Sequence, residues 1–228
     1  MKLHILWGDG RGAMKAVILA NGEAGDLGFL RENVSRGDVL ICCDGGARWA
    51  EALGLRPDHI VGDMDSVPPE LLGKYRESGV NRAVWPADKD FTDLELAVSF
   101  ARGLGADAVD ILAALGGRPD HAMANICVLS QAPGAARILE PGLEIRAVAA
   151  GMELEIKGKA GDVVSLLPLE EARGVATEGL KYPLRGETLF PGFARGVSNE
   201  MAAGAARVAV GEGVLIVFHL SHNMSSPE

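Results

Sequence analysis

Apolar and polar positions alternate in two different ways along the chain. In the first part, about 14–131, short apolar runs are separated by segments with the spacing of amphipathic helices. The apolar runs predict strands at 15–20, 38–43, 59–61, 80–85 and 108–113. Such alternation of strands and helices is typical of a parallel sheet covered by helices. This part of the chain is therefore predicted to be an α/β domain.

The clearest helix prediction covers 92–104, where apolar residues recur on one face at helical spacing. Those residues are Leu94, Ala97, Val98 and Ala101. Thr92 and Glu95 stand three residues apart at its start and predict a capping box, in which each side chain accepts a hydrogen bond from the other residue's backbone N–H. This places Asp93 in the first turn, at the positive end of the helix dipole.

From about residue 142 the pattern changes to short alternating runs broken by glycines. The runs predict antiparallel strands at 162–167, 174–177, 206–210 and 214–220, and no helix of ordinary length fits among them. The expected fold is therefore α/β: a parallel-sheet N-terminal domain with flanking helices, followed by a smaller all-β C-terminal domain, sandwich or jelly-roll-like. The predicted parts are an extension at 1–13, the α/β domain at 14–135, the β domain at 142–220 and a tail at 221–228, with the boundary near 133–141.

Composition narrows the class of protein. The 228 residues are 48% hydrophobic and 23% charged, which excludes a disordered chain. No apolar run approaches the ~18 residues that span a bilayer. The first 14 residues include an aspartate and lack the apolar centre of a signal peptide, so we expect a cytosolic protein without a membrane partner. The three cysteines, two of them adjacent, fit neither a disulfide framework nor a zinc site.

The charge balance excludes nucleic acid as an expected partner. Twenty-two basic and 31 acidic residues give a net charge of −9, and no basic cluster stands out to attract a phosphate backbone. An acidic protein can still bind a polyphosphate when a divalent cation supplies the positive charge. The positions of the acidic residues along the chain therefore decide whether such a cation could be bound.

Asp44 directly follows the second predicted strand and precedes Gly45 and Gly46. Its carboxylate is expected at the carboxyl edge of the sheet, and two glycines allow the backbone to approach a ligand closely. Asp-Gly is also common in ordinary turns, so this motif alone does not establish a site.

Asp63 and Asp65 follow the third predicted strand. Side chains two residues apart in an extended segment point to the same side, so we expect the two carboxylates to lie close together. Like charges at short range raise each other's pKa, and a bound cation removes that cost. A metal site is favoured here over a solvated loop.

Two more loops lie between a predicted strand and a predicted helix. The first carries Lys89 and Asp93, and Asp93 taken singly fits an ordinary helix-start residue. The second carries glycines at 116–117, then Arg118 and Asp120, and leads into a helix N-terminus, which is a natural anion site. An ordinary glycine turn is the alternative for this second loop.

The four loops together are more informative than any one of them. All are expected at the same edge of a parallel sheet, where open α/β sheets bind ligands. Several carboxylates with one arginine and one lysine suit Mg²⁺ and a polyphosphate, because Mg²⁺ takes oxygen ligands and arginine pairs with phosphate oxygens. No P-loop motif and no protein-kinase motif set is present.

The four motifs, in this order and spacing, resemble those of the thiamine pyrophosphokinase (thiamine diphosphokinase) family. They read Asp44-Gly-Gly-Ala47, Gly62-Asp-x-Asp-Ser66, Lys89-Asp-x-Thr-Asp93 and Gly116-Gly-Arg-x-Asp-His121. The second part adds Gly161-Asp-Val-Val-Ser-Leu-Leu-Pro168, Gly179-Leu-Lys-Tyr-Pro-Leu184 and Gly196-Val-Ser-Asn-Glu200, which are similar to the thiamine-binding half of that family. The resemblance covers about 14–218. It implies a homodimer with sites between subunits that transfers the diphosphate of ATP to thiamine, giving thiamine diphosphate and AMP.

The resemblance also implies roles for individual residues. Four acids would bind Mg²⁺ or act in catalysis: Asp44, Asp63, Asp65 and Asp93. Lys89 would also act in catalysis, as a basic partner of the polyphosphate. Other groups would contact ATP: Arg118, Asp120 and the backbone at Gly45 and Gly46. Ser198 and Asn199 would face thiamine.

The chain departs from the family in one aromatic position. Eukaryotic members place a tryptophan near the end of the last strand to stack on thiamine, whereas this chain reads Leu215-Ile216-Val217-Phe218 there. Trp49, Trp85 or Phe218 could take that role, although core packing is the ordinary function of such side chains.

Some of these roles can also be argued from the chemistry of the reaction, without the resemblance. An alcohol is a weak nucleophile and a polyphosphate is a shielded electrophile, so catalysis requires alignment, charge neutralisation and a proton acceptor. We choose Asp93 to orient the hydroxyl and accept its proton, and Asp63 and Asp65 to hold most of the metal. The residues alone leave open whether the β or the γ phosphorus is attacked. Two alternatives also stay open: a related diphosphokinase for another alcohol, such as a pterin, and a nucleotide- or metal-binding regulatory module without turnover.

Overall fold

The computed structural model describes residues 13–86, 88 and 90–221. In this part of the chain there are five α-helices: α1 (Leu27–Val34), α2 (Ala47–Ala52), α3 (Pro69–Glu77), α4 (Asp93–Gly103) and α5 (Pro119–Val128). Two short 3-10 helices, Asp44–Gly46 and Leu129–Gln131, adjoin α2 and α5. The predicted extension at 1–13 and tail at 221–228 lie outside the described residues except for Ala13 and Ser221.

The strands of the first part are β1 (Lys15–Leu19), β2 (Val39–Cys43), β3 (His59–Gly62), β4 (Asn81–Val84), β5 (Ala108–Leu112) and β6 (Ala136–Glu140). Those of the second part are β7 (Leu143–Ala149), β8 (Glu153–Lys157), β9 (Val163–Pro168), β10 (Ala172–Glu178), β11 (Arg185–Leu189), β12 (Asn199–Glu200), β13 (Ala205–Ala209) and β14 (Val214–Leu220).

The larger sheet has ten strands in the order β12-β9-β14-β7-β6-β5-β1-β2-β3-β4. Strands β1 to β6 pair in parallel, whereas β7, β14, β9 and β12 continue the sheet in antiparallel pairing. The smaller sheet has four antiparallel strands in the order β11-β10-β13-β8. The predicted fold class, a parallel sheet with helices followed by an antiparallel β part, is confirmed.

Helices cover both faces of the parallel strands, because alternate residues of a strand point to opposite faces. In β1, Ala16 and Ile18 pack with α4, while Val17 and Leu19 pack with α1, α2 and α3. A third buried cluster joins the antiparallel end of the larger sheet to the smaller sheet, with Val148 and Leu215 on one side and Ile156 and Val175 on the other. The β part is therefore a sandwich.

The strands predicted in the first part are confirmed to within one residue at each end. The capping box of α4 is also present: Thr92 N–H donates to Glu95 Oε2 at 2.7 Å, and Glu95 N–H donates to Thr92 Oγ1 at 3.2 Å. The four strands predicted in the second part correspond to β9, β10, β13 and β14. The sequence reasoning missed β6, β7, β8, β11 and β12.

Strand β6 lies in the stretch 133–141 that was expected to separate two domains. It pairs with β5 in parallel and with β7 in antiparallel orientation, so the larger sheet continues without interruption into the β part. Ile138 and Leu139 are buried in different core clusters, on opposite faces, which explains why a strand forms between two prolines. The domain limits 14–135 and 142–220 stay a prediction.

A row of charged side chains crosses this junction. The Lys15 ammonium and the Arg137 guanidinium both pair with Asp110, and the Arg137 Nε to Asp110 Oδ1 distance is 2.6 Å. Arg137 Nη1 also donates to Glu144 Oε2 at 3.0 Å. Burial opposes the charge of Asp110, but the hydrogen bonds from Arg137 and Lys15 keep its pKa below the ordinary value. These contacts connect β1, β5, β6 and β7.

Within the described residues, no helix combines the length and the apolar character needed to cross a lipid bilayer.

Candidate active site

A cleft of about 870 Å³ opens at the carboxyl edge of the parallel strands. Its lining comes from the loops after β1, β2, β3 and β5 and from the first turns of α4 and α5. This is the position at which open α/β sheets bind ligands. Of the residues predicted for the site, the cleft is lined by Asp44, Asp63, Asp65, Asp93, Arg118 and Asp120.

Three carboxylates that line the cleft lie close together. Asp44 follows β2, Asp63 follows β3, and Asp93 is the first residue of α4. One carboxylate oxygen from each lies within 4.8 Å of the others. We call these three residues the acidic trio; strand topology brings them together from three separate segments.

Gly62 allows this close approach at the end of β3. A Cβ atom built on Gly62 would lie 2.9 Å from Asp44 Cβ and 3.2 Å from Asp93 Oδ1. Its φ of +146° is also a conformation that residues with side chains rarely adopt. Any side chain at position 62 would therefore push the acidic trio apart.

Asp44 is the buried member of the trio, with only 3% of its surface exposed. Its φ of 43° is in the left-handed region, and its Oδ1 atom accepts no hydrogen bond in the described structure. Burial, followed by the nearby charges of Asp93 and Asp63, raises the pKa of Asp44, although Ser66 and the Gly45 N–H favour the charged form. A buried carboxylate oxygen without a donor is well suited to a cation.

The trio fits the magnesium ion that the resemblance implies. Its oxygen donors are the ligands that Mg²⁺ prefers, and Oδ1 of Asp44, which accepts no hydrogen bond from the described residues, supplies a ligand atom. The same charges that raise the pKa of Asp44 would be neutralised by the ion.

The prediction that Asp63 and Asp65 lie in an extended segment is wrong. Met64 has a φ of 70°, so the segment turns instead of remaining extended, and the side chains on either side of it do not point the same way. The Asp65 N–H donates to Asp63 Oδ1 at 3.2 Å, as in an Asx turn. Asp65 lines the cleft outside the trio, and the hydroxyl of Ser66 lies 2.9 Å from its Oδ1.

Gly45 and Gly46 have a packing role. A Cβ on Gly45 would lie 2.4 Å from Asn21 Oδ1, and one on Gly46 would lie 2.0 Å from the Leu19 carbonyl oxygen. Both glycines are buried and are not among the described residues that line the cleft. They bring the loop that carries Asp44 against the end of β1. Their contact with ATP, as predicted, stays untested.

Arg118 and Asp120 also line the cleft, at the start of α5. They form a two-pronged ion pair, with Arg118 Nε 3.1 Å from Asp120 Oδ1 and Nη2 2.5 Å from Oδ2. The hydrogen bonds from Arg118 lower the pKa of Asp120 to about 2, and both side chains are well exposed. In the preceding loop, Gly117 N–H donates to Glu23 Oε1 at 3.2 Å.

The remaining predicted residues lie elsewhere. Lys89 is outside the described residues, so its predicted role stays untested. Ser198 is exposed, with a φ of 58° and its N–H donating to Ser165 Oγ at 2.9 Å. Asn199 is buried, and its amide bonds the backbone of Tyr182 through both Oδ1 and Nδ2. Neither of them is among the described residues that line the cleft.

The aromatic candidates have other surroundings. Trp49 is half-buried and donates its Nε1–H to the Gly22 carbonyl at 3.1 Å. Phe218 packs against the core beneath α4 and α5, and Trp85 is 42% exposed. Phe91, which sequence reasoning did not select, is 58% exposed and lines the cleft.

Sequence reasoning missed other cleft residues: Asn21, Glu23, Arg48 and Asn125. Asn21 and Glu23 follow β1, so the rule that selected Asp44 could have found them. Arg48 is in a helix, with no signal in the pattern around it. Asn125 Nδ2 donates to the Ala114 carbonyl at 2.7 Å, a contact across 11 residues that no local pattern predicts.

Comparison with known proteins identifies the family. Residues 30–138 match the family model of the thiamin pyrophosphokinase catalytic domain, and 152–215 match that of the thiamin pyrophosphokinase vitamin B1 binding domain. Thiamine pyrophosphokinase from Bacillus subtilis (strain 168) is 28% identical over 210 residues, which are 90% of this chain and 98% of that protein. Thiamine pyrophosphokinase 1 from Oryza sativa subsp. japonica is 36% identical over 115 residues, 41% of this chain and 44% of that protein.

A solved structure agrees over nearly the whole fold. The crystal structure of thiamine pyrophosphokinase from Bacillus subtilis superposes with a TM-score of 0.79 at 25% identity, covering 91% of this chain and 99% of that one. The two matched family models cover both the part that carries the cleft and the β sandwich. This chain belongs to the thiamine pyrophosphokinase family.

Proposed function

We propose that this protein transfers the diphosphate of ATP to the hydroxyethyl oxygen of thiamine, giving thiamine diphosphate and AMP. The observation that carries the proposal is the acidic trio, in a cleft that is also lined by Arg118 at the start of α5. This arrangement offers a cation site and an anion site within one cleft at a sheet edge. The family assignment supplies the two substrates.

The reaction needs one bond made and one broken. The hydroxyl oxygen of thiamine attacks the β phosphorus of ATP, the bond from that phosphorus to the α–β bridging oxygen breaks, and AMP leaves with that oxygen. We assign Asp93 to orient the hydroxyl and accept its proton, because it opens α4 beside the two other acids of the trio. Arg118, with Asp120, would bind phosphate oxygens at the start of α5.

Mg²⁺ would be held by the acidic trio, and when bound it would neutralise charge on the polyphosphate. Asp65 is in a position to support this site through its N–H bond to Asp63. Activity should disappear with EDTA and return with Mg²⁺ or Mn²⁺, both of which accept oxygen ligands.

We also infer a homodimer in which the partner supplies the thiamine-binding surface. Apolar side chains are exposed next to Ser198: Phe190, Phe193 and Val197 are 48%, 68% and 41% exposed. Such a cluster is typical of an interface. Ser198 is not part of the cleft lining of its own chain, which fits a site built from two chains. Light scattering at micromolar concentration should give the dimer mass; a fully active monomer would contradict this inference.

The decisive experiment incubates the protein with ATP, Mg²⁺ and thiamine and identifies both products. We expect AMP and thiamine diphosphate in equal amounts. ADP would indicate attack at the γ phosphorus, and no nucleotide product would indicate a binding module. Release of AMP with a pterin alcohol but not with thiamine would support the related diphosphokinase. The cytosolic location stays a prediction of the sequence.

A further inference from the structure

Arg48 lies in α2, four residues after Asp44, and its side chain lines the cleft. The family motif quoted above ends at Ala47, so Arg48 carries none of the resemblance. Its surroundings suggest a ligand contact nonetheless.

The guanidinium of Arg48 is held in place by main-chain and aromatic contacts. Nη2 donates to the carbonyl oxygens of Asn21 at 3.1 Å and Gly22 at 2.9 Å. The guanidinium carbon lies 4.6 Å from the centroid of the Trp49 ring, in a cation–π contact. Trp49 in turn donates to the same Gly22 carbonyl. Because three groups fix the guanidinium, little conformational entropy remains to be lost when a ligand binds.

In the part of the chain that the structure describes, the charge of Arg48 has no carboxylate partner. Among the described residues, six carboxylates and two guanidiniums line the cleft. Arg118 is paired with Asp120, whereas the described contacts of Arg48 are to carbonyl oxygens and a ring only. Its Nε and Nη1 atoms donate no hydrogen bond within the described chain. Among the described residues that line the cleft, Arg48 is therefore the guanidinium whose charge and N–H donors remain available for an anion.

We propose that Arg48 binds the polyphosphate of ATP, at oxygens that the metal ion does not neutralise. This inference rests on the proposed function, which supplies the ligand. ATP carries more negative charge than one divalent cation cancels, and a guanidinium pairs with phosphate oxygens through two parallel hydrogen bonds. The acidic trio and Arg48 would then hold the same chain of phosphates, with Asp44 and Arg48 one helical turn apart.

Arg56 provides a matched control. Its Nε and Nη2 donate to the carbonyls of Ser78 and Gly79, both at 2.9 Å, and it is not among the described residues that line the cleft. Arg48→Gln and Arg56→Gln each remove a charge and two hydrogen bonds to main-chain carbonyls, and Arg48→Gln also removes the cation–π contact with Trp49. The loss of thermal stability should therefore be equal in the two variants or slightly larger in Arg48→Gln.

The test measures binding of α,β-methylene ATP with Mg²⁺ by calorimetry, because that analogue cannot be cleaved at the bond that the reaction breaks. Arg48→Gln should weaken binding by about 10- to 100-fold, the range expected for a charged hydrogen bond. Arg48→Lys should give a smaller loss, since lysine retains the charge without the two-pronged geometry. Arg56→Gln should leave the affinity unchanged. Equal affinity of Arg48→Gln and the unmodified protein, or an equal loss in Arg56→Gln, would overturn the proposal.

Steady-state kinetics separate this proposal from the proposed function. Arg48→Gln should raise the KM for ATP and leave the KM for thiamine within about 2-fold, as expected for a contact with one substrate. Arg48-dependent binding of the analogue by a protein that makes no AMP would keep the role of Arg48 and reject thiamine diphosphate synthesis. Normal synthesis of thiamine diphosphate with an unchanged KM for ATP would keep the proposed function and reject the role of Arg48.

Discussion

Asp44, directly after strand β2, and Asp110, within strand β5, are both almost completely buried, yet they have opposite electrostatic surroundings. Asp110 is paired with Lys15 and Arg137, and its pKa is lowered. Asp44 faces two other acids, one of its oxygens accepts no hydrogen bond from the described part of the chain, and its pKa is raised. The first carboxylate is satisfied by the fold, whereas the second is satisfied only when a cation binds. Burial alone therefore does not distinguish a structural acid from a functional one.

The largest effect on activity is expected at Asp93, a member of the acidic trio. Asp93→Asn should lower kcat by roughly 10²- to 10⁴-fold with little change in ATP affinity, the usual loss for a missing general base. Steady-state kinetics with both substrates provide the measurement. If Asp93 only stabilises the helix dipole, the change should cost well under ~1 kcal/mol of stability and little activity.

The largest effect on stability is expected at Asp110. Asp110→Asn should lower the free energy of unfolding by about 3–5 kcal/mol, because Arg137 and Lys15 lose their buried partner. In the unmodified protein the lowered pKa adds stability above the ordinary value of 3.8, and this is lost as the pH falls through the folded-state pKa. Urea unfolding at several pH values measures both.

Glu171→Gln is the control for Asp110→Asn, because the exposed Glu171–Arg173 pair should contribute less than about 1 kcal/mol. Similar losses in the two variants would show that burial of the Asp110 network adds nothing.

The two acids after β3 should differ. Asp63→Asn should lower turnover by at least ~10²-fold, because it removes a ligand charge from the trio. Asp65→Asn should have a smaller effect, since Asp65 lies outside the trio and acts through its N–H bond to Asp63. Turnover measured across Mg²⁺ concentrations tests this order. A larger loss in Asp65→Asn would place the metal at Asp65, as the sequence alone suggested.

The smallest expected effect has the opposite sign. Without metal, Asp44→Asn should slightly raise the free energy of unfolding at neutral pH, because it removes a buried, repelled charge. The gain should be absent below pH 3.8 and grow as the pH rises through the raised pKa of Asp44. Added Mg²⁺ should stabilise the unmodified protein but not the variant. A destabilised variant in EDTA would show that Asp44 is satisfied by the fold.

The sequence predicted which acids line the cleft better than it predicted their local geometry. Asp44, Asp63 and Asp93 were found because parallel strands end at one edge, so position along the chain determines position in space. The local geometry of Asp65 was predicted wrongly because no feature of the sequence indicates the left-handed backbone of Met64. Arg48 was missed because its role depends on carbonyls of a loop more than 20 residues away.

The same limit applies to the fold. Short apolar runs predicted the parallel strands, but β6 was missed because it lies between two prolines in a stretch that resembles a linker. This segment is a strand because it pairs with β5 and β7, and the local sequence pattern does not show such pairing.

The uninterrupted sheet has a consequence for how the protein can be divided. A cut between β6 and β7 would expose the edges of two neighbouring strands and break the Arg137–Glu144 contact. The catalytic and vitamin-binding parts are therefore expected to melt in one cooperative transition and to be poorly soluble when expressed separately. In such a protein, exchanging halves between family members would require β6 and β7 to be kept together.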